Sequence, residues 1–151
     1  MVHSVGLLLH RVGPGGIEVL LGHMGGPYWA RKDDRGWSIP KGLRDDIDVD
    51  LVAAAEREFR EEVGPPPAGP TLELGEATSG RKRITVFARA GDFAPAMAQS
   101  NTFTIEWPPR SGTLQEFPEI DRVAWFDLDT ARIKLVASQA VFIDRLTTAL
   151  G

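Results

Sequence analysis

Short apolar runs alternate with turn-rich segments along most of the chain. Residues 5–9 and 17–21 are apolar and are joined by HRVGPGG, and this arrangement predicts a β-hairpin. The same pattern predicts further strands at residues 37–40, 72–77, 84–90, 101–107 and 123–126. Loops are expected between them, at residues 22–36 and in the segments KGLRDDID, WPPRSG and EFPEID.

Two segments have helical rather than strand periodicity. The first is expected to begin after Asp48 or Asp50 as the N-cap and to end near Val63, where Gly64 and Pro65 follow. The second spans residues 136–150, with apolar side chains at helical spacing. Two helices in a strand-rich chain predict an α/β or α+β fold, with a mixed sheet covered by helices.

The composition is that of a folded, non-membrane protein. The chain has 151 residues, of which 42% are hydrophobic, and this predicts one domain over residues 1–151. No apolar run approaches the 18 or so residues that a membrane span needs, and the first residues lack a basic leader. There is no cysteine, which excludes disulfides and thiolate chemistry. We therefore expect a cytoplasmic protein without a membrane partner.

The negative charge is concentrated in one segment. Residues 42–62 hold eight acidic and three basic residues, a net of −5, whereas the rest holds 13 acidic and 14 basic residues, a net of +1. Because no broad basic face is present, duplex nucleic acid is not an expected partner. A focused acidic site instead favours a cation.

The acidic segment places three glutamates on one side of the first predicted helix. At 3.6 residues per turn, Glu58, Glu61 and Glu62 occupy an arc of about 100° that borders the apolar stripe. Like charges at this spacing repel one another, and a hard divalent cation would relieve the repulsion. A solvated helical face with internal ion pairs is the alternative, and spacing alone leaves both open.

The segment GLRDDIDVDLVAAAEREFREEVG resembles the signature box of the Nudix hydrolases. That box reads glycine, five residues, glutamate, seven residues, then Arg-Glu-aliphatic-x-Glu-Glu-x-Gly-aliphatic. The second half matches from Arg57 to Gly64, and the preceding WSIPKG also resembles the segment ahead of the box in many members. The resemblance implies an α/β/α sandwich around a mixed sheet, and Mg²⁺- or Mn²⁺-dependent cleavage of a nucleoside diphosphate linked to another group.

The first half of the box departs from the pattern. Counted back from Arg57, the first glutamate should stand at position 49, which is Val49, and Gly42 is one residue too early. Asp48 or Asp50 is a candidate replacement, although aspartate is one methylene shorter. The final aliphatic position is Pro65.

Carried over by position, the resemblance implies roles for several side chains. Glu58, Glu61 and Glu62 would bind metal, Arg57 would orient a carboxylate through an ion pair, and Lys41 would meet a phosphate. Gly42 would let the loop backbone turn. A catalytic base from outside the box is expected at Glu116 or Glu119, with Glu116 preferred, while Glu61 is the catalytic candidate within the box.

Two further substrate contacts are candidates on chemical grounds. Arg83, in the RKR segment, suits a substrate phosphate, although a solvated hairpin end explains it equally simply. Trp29, in a predicted loop, suits stacking on a nucleobase.

The expected function is metal-dependent hydrolysis of a pyrophosphate bond in a small nucleotide. A nucleoside triphosphate or a dinucleoside polyphosphate is the expected substrate, and a homodimer stays open. The alternative is a catalytically impaired domain that binds or senses nucleotides, because Val49 breaks the box. A prenyl diphosphate isomerase relative is a third reading, and the missing cysteine argues against it.

Overall fold

A long hairpin forms the centre of the fold in the computed structural model, which describes residues 2–151. Strands β1 (Val2–Gly13) and β2 (Gly16–Met24) pair antiparallel, as the apolar pattern predicts, and both are longer than the apolar runs. The other strands are β3 (Trp37–Ser38), β4 (Lys41–Leu43), β5 (Leu72–Ser79), β6 (Lys82–Ala90), β7 (Thr102–Glu106), β8 (Leu114–Pro118) and β9 (Ile120–Asp127).

Seven strands form one mixed sheet. The hydrogen-bonded order is β3-β2-β1-β6-β5, with β4 also paired to β1 and β9 to β2. The β1–β6 pairing is parallel and runs from Val2 opposite Lys82 to His10 opposite Ala90. Strands β7 and β8 form a separate two-stranded sheet.

The first helix forms where the sequence predicts it. Helix α1 (Leu51–Glu62) begins after Asp50, whose carboxylate accepts the N–H groups of Val52 at 3.0 Å and Ala53 at 3.3 Å. At the other end, Gly64 has a φ of 141°, and its N–H donates to the carbonyl of Phe59 at 3.2 Å. Asp50, rather than Asp48, is therefore the N-cap.

Helices cover the sheet on both faces because successive β1 side chains point in opposite directions. Leu7 and Leu9 belong to one core cluster, together with Ala55 and Phe59 of α1. Leu8 belongs to a second cluster on the other face, with residues of the two C-terminal helices. The mixed sheet between helices confirms the predicted fold class.

The predicted C-terminal helix is wrong in its extent. Residues 136–150 contain a 3₁₀ turn (Ala137–Gln139) and α3 (Val141–Leu150), and a separate helix that was not predicted, α2 (Leu128–Lys134), precedes them. Helix α2 escaped the periodicity analysis because it has only seven residues. Its start does have a local signal, since Asp127 caps it by accepting the N–H of Thr130 at 2.8 Å.

Two segments predicted as loops contain strands. Lys41–Leu43 pairs with Ser4, Val5 and Gly6 of β1, and thereby becomes β4. Most of EFPEID belongs to β8 and the start of β9, because β8 pairs with β7 from Leu114 to Pro118. Both strands depend on a distant partner, which a local pattern does not contain. Among the helices of residues 2–151, none is long and apolar enough to span a membrane.

A partly buried ion pair connects α1 to the sheet. Arg89 of β6 has a side chain that is 4% exposed, and it donates to the Glu56 carboxylate of α1 at 2.8 Å. The same guanidinium donates to the carbonyl of Pro67, in the proline-rich connector after α1, at 3.0 Å. The helix that carries the acidic residues is therefore held by polar contacts as well as by its apolar face.

Candidate active site

The acidic edge of α1, which is formed by Glu58, Glu61 and Glu62, packs against β4. A glycine in β4 lets the helix and the strand come close together. A Cβ atom built on Gly42 would lie 1.9 Å from Oε2 of Glu58 and 2.4 Å from its Cδ. Gly42 is not among the residues with positive φ, so its backbone conformation does not require glycine. The expectation that Gly42 serves a turn is therefore wrong: glycine leaves room for the Glu58 carboxylate.

Substituting Gly42 with alanine is expected to displace the Glu58 side chain. We expect kcat/KM to fall by at least about tenfold, with a loss of stability of less than about 1 kcal/mol because the end of the flexible Glu58 side chain can move away. Activity assays and urea denaturation measure the two effects. The matched control is Gly15→Ala, because a Cβ there meets nothing within 4 Å. Equal activity of the two variants would contradict the steric role.

Burial and like charge act on two of the carboxylates. Burial raises the pKa of Glu58 above its ordinary value, the hydrogen bond from Arg57 opposes this, and the charge of Glu61 adds to it. Burial raises the pKa of Glu62 to about 8, against the effect of Lys41, with contributions from Glu119 and Glu58. The backbone N–H of Lys41 donates to Oε2 of Glu62 at 3.4 Å. Ionising these side chains is therefore costly unless a cation is present.

Arg57 joins α1 to the preceding loop. Its guanidinium donates to the two carboxylate oxygens of Asp48, at 2.8 and 3.2 Å, and to Oε1 of Glu58 at 3.2 Å. The hydrogen bond from Arg57 lowers the pKa of Asp48, and the backbone N–H of Asp45 contributes. Val49 is 99% exposed. The carboxylate that meets Arg57 thus comes from position 48.

The two candidate outside bases differ in their surroundings. Glu116 lies on the exposed face of β8 and accepts a hydrogen bond from Thr102 at 2.6 Å. Glu119 lies between β8 and β9, close enough to Glu62 for its charge to contribute to the raised pKa of that side chain. Glu119 therefore acts electrostatically on Glu62, whereas Glu116 makes its hydrogen bond within the β7–β8 hairpin.

The carboxylates of the acidic edge are suitable ligands for a hard cation, although their side chains do not converge into a complete coordination sphere. Among residues 2–151, no group of three or more His, Asp or Glu side chains converges at metal-binding distance. The donors are nevertheless all carboxylate oxygens, the type that Mg²⁺ and Mn²⁺ prefer. The raised pKa values of Glu58 and Glu62 also show where a positive charge would be stabilised. The chemistry of the donor set therefore fits such an ion.

A cavity of about 280 Å³ brings together three residues from distant parts of the sequence. Trp29 from the β2–β3 loop, Lys41 from β4 and Arg83 from β6 all line it. Lys41 also connects the cavity to the acidic edge through its backbone contact with Glu62. The Nε atom of Arg83 lies 3.2 Å from Oε2 of Glu76, but the two are not aligned for a hydrogen bond.

The pattern of the sequence did not predict that buried polar side chains line this cavity. Ser38 and Gln139 are 4% and 3% exposed, and the Gln139 amide accepts the N–H of Ile39 at 2.8 Å. Its Nε2 donates to the Ser38 hydroxyl at 3.0 Å, which fixes the orientation of the amide. Lys82 also lines the cavity. In the sequence, Gln139 stands among apolar residues of the C-terminal segment, and this was the one sign of a buried polar side chain there.

Comparison with known proteins relates the chain to one family. The family model described as NUDIX domain matches residues 4–146. A search of curated protein sequences returned no match.

Several solved structures have the same fold. The NUDIX domain of Shewanella oneidensis NrtR, complexed with ADP ribose, has a TM-score of 0.67 and 17% identity, over 100% of this chain and 89% of that chain. An Ap4A hydrolase from C. elegans, in a binary complex, has a TM-score of 0.61 and 20% identity, over 99% of this chain and 98% of that chain. A MutT protein from Methanosarcina mazei Go1 has a TM-score of 0.63 and 19% identity, over 99% and 94%. At these identities the likeness is one of fold.

Proposed function

The chain belongs to the Nudix family of pyrophosphohydrolases, and from this premise we propose that it cleaves a pyrophosphate bond in a small nucleotide with the help of a divalent metal ion. A nucleoside triphosphate and a dinucleoside polyphosphate are the two proposed substrate classes. The solved relatives include an Ap4A hydrolase and a domain that binds ADP ribose, which supports a nucleotide ligand.

One observation carries the proposal: the acidic edge of α1 adjoins a cavity with basic and aromatic walls. Lys41 belongs to both, since its N–H meets Glu62 and the residue lines the cavity with Arg83 and Trp29. A nucleotide has the matching chemistry, namely an aromatic base and a chain of phosphates. An acidic patch on an ordinary solvated helix would have no reason to adjoin such a cavity.

The proposed metal ligands are Glu58, Glu61 and Glu62, and the proposed ion is Mg²⁺ or Mn²⁺. When bound, such an ion would neutralise phosphate charge, align the pyrophosphate and acidify the attacking water. Arg57 holds Oε1 of Glu58 by a hydrogen bond of 3.2 Å and thereby limits the orientations of that carboxylate.

The remaining side chains bind substrate and accept a proton. Lys41 and Arg83 would meet phosphate oxygens, and Trp29 would stack on the base. A carboxylate at the acidic edge would take the proton of the attacking water, and Glu61 and Glu119 are the candidates. We propose Glu119 in place of Glu116, because Glu119 acts electrostatically on Glu62 whereas Glu116 pairs with Thr102 on the exposed hairpin.

A nucleotide panel tests the proposed function. The protein is incubated with Mg²⁺ or Mn²⁺ and a set of nucleoside triphosphates, dinucleoside polyphosphates and nucleoside diphosphate sugars. For the triphosphates, released phosphate is measured with and without added inorganic pyrophosphatase. For the dinucleoside polyphosphates and the diphosphate sugars, it is measured with and without added phosphatase, which acts on the monoester products but not on substrates capped at both ends. We expect metal-dependent turnover of at least one class. No turnover of any compound, at any metal concentration, would contradict the proposal.

A second candidate is a domain that binds nucleotides without cleaving them. Val49 in place of the box glutamate favours it, as does the structural likeness to the NrtR domain bound to ADP ribose. The two candidates separate in the same panel, because the second predicts calorimetrically detectable nucleotide binding in the absence of turnover.

Trp29→Ala is expected to weaken substrate binding more than it slows the reaction. Stacking on an aromatic side chain contributes about 1–3 kcal/mol, so we expect KM to rise by about tenfold or more with kcat nearly unchanged. The matched control is Tyr28→Ala, because Tyr28 is 69% exposed and packs edge-on against Trp107. Equal KM values for wild type and Trp29→Ala would show that Trp29 does not contribute to substrate binding.

A further inference from the structure

Arg57 forms an ion pair with Asp48, which lies in the loop between β4 and α1. Arg57 donates to both carboxylate oxygens of Asp48, at 2.8 and 3.2 Å, and the Asp48 side chain is 12% exposed. Two parallel hydrogen bonds between a guanidinium and a carboxylate fix direction as well as distance. Position 49, where the box has its first glutamate when counted back from Arg57, instead presents a valine that is 99% exposed.

The loop itself holds the Asp48 carboxylate in place. Oδ2 of Asp48 accepts the backbone N–H of Asp45 at 2.6 Å, and the Asp48 N–H donates to the Asp45 carbonyl at 2.9 Å. Arg44 donates to the Asp48 carbonyl at 3.3 Å. These contacts close a turn that directs the side chain toward Arg57. Asp50 does not compete for this position, because its carboxylate caps α1.

The spacing of the box also agrees with this geometry when residues are counted forward from Gly42 instead of back from Arg57. Asp48 stands six positions after Gly42, which is the distance from the glycine to the first glutamate of the box. The extra residue therefore falls between Asp48 and Arg57. Val49 directly follows Asp48 and projects into solvent.

We propose that Asp48 is a positioning residue that supplies, through Arg57, the support which the box glutamate would give to the metal-binding carboxylates. Arg57 is the link, since the same guanidinium nitrogen that meets Asp48 at 3.2 Å also donates to Glu58 at 3.2 Å. Without Asp48, Arg57 keeps only weaker loop contacts, with the Leu43 carbonyl at 3.5 Å and with Oδ2 of Asp45 at 3.9 Å, so the guanidinium can turn toward the acidic edge and compete there with a cation. This inference rests on the proposed function only for the use of the bound metal.

The test compares Asp48→Asn, Asp48→Ala and Asp48→Glu in the full chain, with Asp46→Ala as a control of equal charge in the same loop. Mn²⁺ affinity is measured by calorimetry, kcat and KM on the best nucleotide, and folding by circular dichroism. We expect Asp48→Asn and Asp48→Ala to lose about 10–100-fold in Mn²⁺ affinity and in kcat while remaining folded. Asp46→Ala should match wild type, and Asp48→Glu should recover most of the affinity.

Asp48→Asn distinguishes positioning from loop closure. Asparagine keeps an acceptor for the Asp45 N–H but loses the charge that Arg57 requires, so wild-type affinity and kcat in this variant would overturn the proposal. An equal loss of Mn²⁺ affinity and kcat in Asp46→Ala would also overturn it, because the loss would then follow the net charge of the loop and not the ion pair between Asp48 and Arg57. Mn²⁺ affinity is read without substrate, so a failed nucleotide panel would leave this result standing on its own.

Discussion

Glu61→Gln is expected to lower kcat by about a thousandfold or more with little change in stability. Glu61 is exposed at the acidic edge of α1, so the substitution changes charge and basicity without disturbing the core. Glutamine keeps the shape of the side chain but is a poor ligand for a hard cation and cannot accept the proton of the attacking water. Initial rates at saturating Mg²⁺ or Mn²⁺, together with urea denaturation, measure the two quantities.

The control for this variant is Glu73→Gln, an exposed glutamate on β5. It carries the same chemical change away from α1 and is expected to retain the wild-type rate. If Glu61→Gln were as active as Glu73→Gln, Glu61 would be neither ligand nor base. If both variants were inactive, the loss of activity would reflect the change in net charge and not the loss of an active-site residue.

Glu62→Gln is expected to stabilise the metal-free protein at alkaline pH. The pKa of Glu62 is about 8 in the folded chain, above the ordinary value of 4.5. Between these values the folded state binds more protons than the unfolded state, so the stability of the wild type falls as pH rises through that window. Glutamine removes this penalty, and we expect a gain of roughly 2–5 kcal/mol above pH ~8.

Urea denaturation in the presence of a chelator, below pH ~5 and above pH ~8, measures the effect. The variant and the wild type should be nearly equal at the lower pH and diverge at the higher one. Adding Mn²⁺ at the higher pH should restore stability to the wild type but much less to Glu62→Gln. A constant difference between the two proteins at all pH values would show that Glu62 does not titrate as its burial indicates.

The first helix was predictable because its signals are local. Asp50 caps α1, and Gly64 and Pro65 end it. The spacing of the three glutamates along the helix places them on one face. The same is true of the β1–β2 hairpin, whose two apolar runs are separated by glycine and proline. Each of these elements is specified within a window of about twenty residues or fewer.

Elements that depend on a distant partner were not predictable in this way. Residues 114–116 of β8 are all exposed, so they show no alternation, and they are a strand because β7 pairs with them. The high pKa of Glu62 likewise follows from burial in the folded chain and not from its neighbours in sequence. The choice between Glu116 and Glu119 as the outside base stays a prediction, because it too depends on contacts that form only in the folded chain.

The role of Asp48 is an intermediate case. Its partner Arg57 is nine positions away, and counting forward from Gly42 instead of back from Arg57 places an acid at the right spacing. Counting from one end alone assigned the position to Val49. The orientation of that valine toward solvent is what the structure adds.

The parallel pairing of β1 with β6 has a consequence for the order in which this protein assembles. Val2 lies opposite Lys82 and His10 opposite Ala90, so the partners are separated by 80 positions. Closing a loop of that length is entropically costly before any contact is gained, and such pairings slow folding. During synthesis, β1 and the apolar face of α1 leave the ribosome well before β6 does. The nascent chain must therefore keep the apolar run at residues 5–9 of β1, which is buried in the folded protein, from aggregating until more than half of the polypeptide has been made.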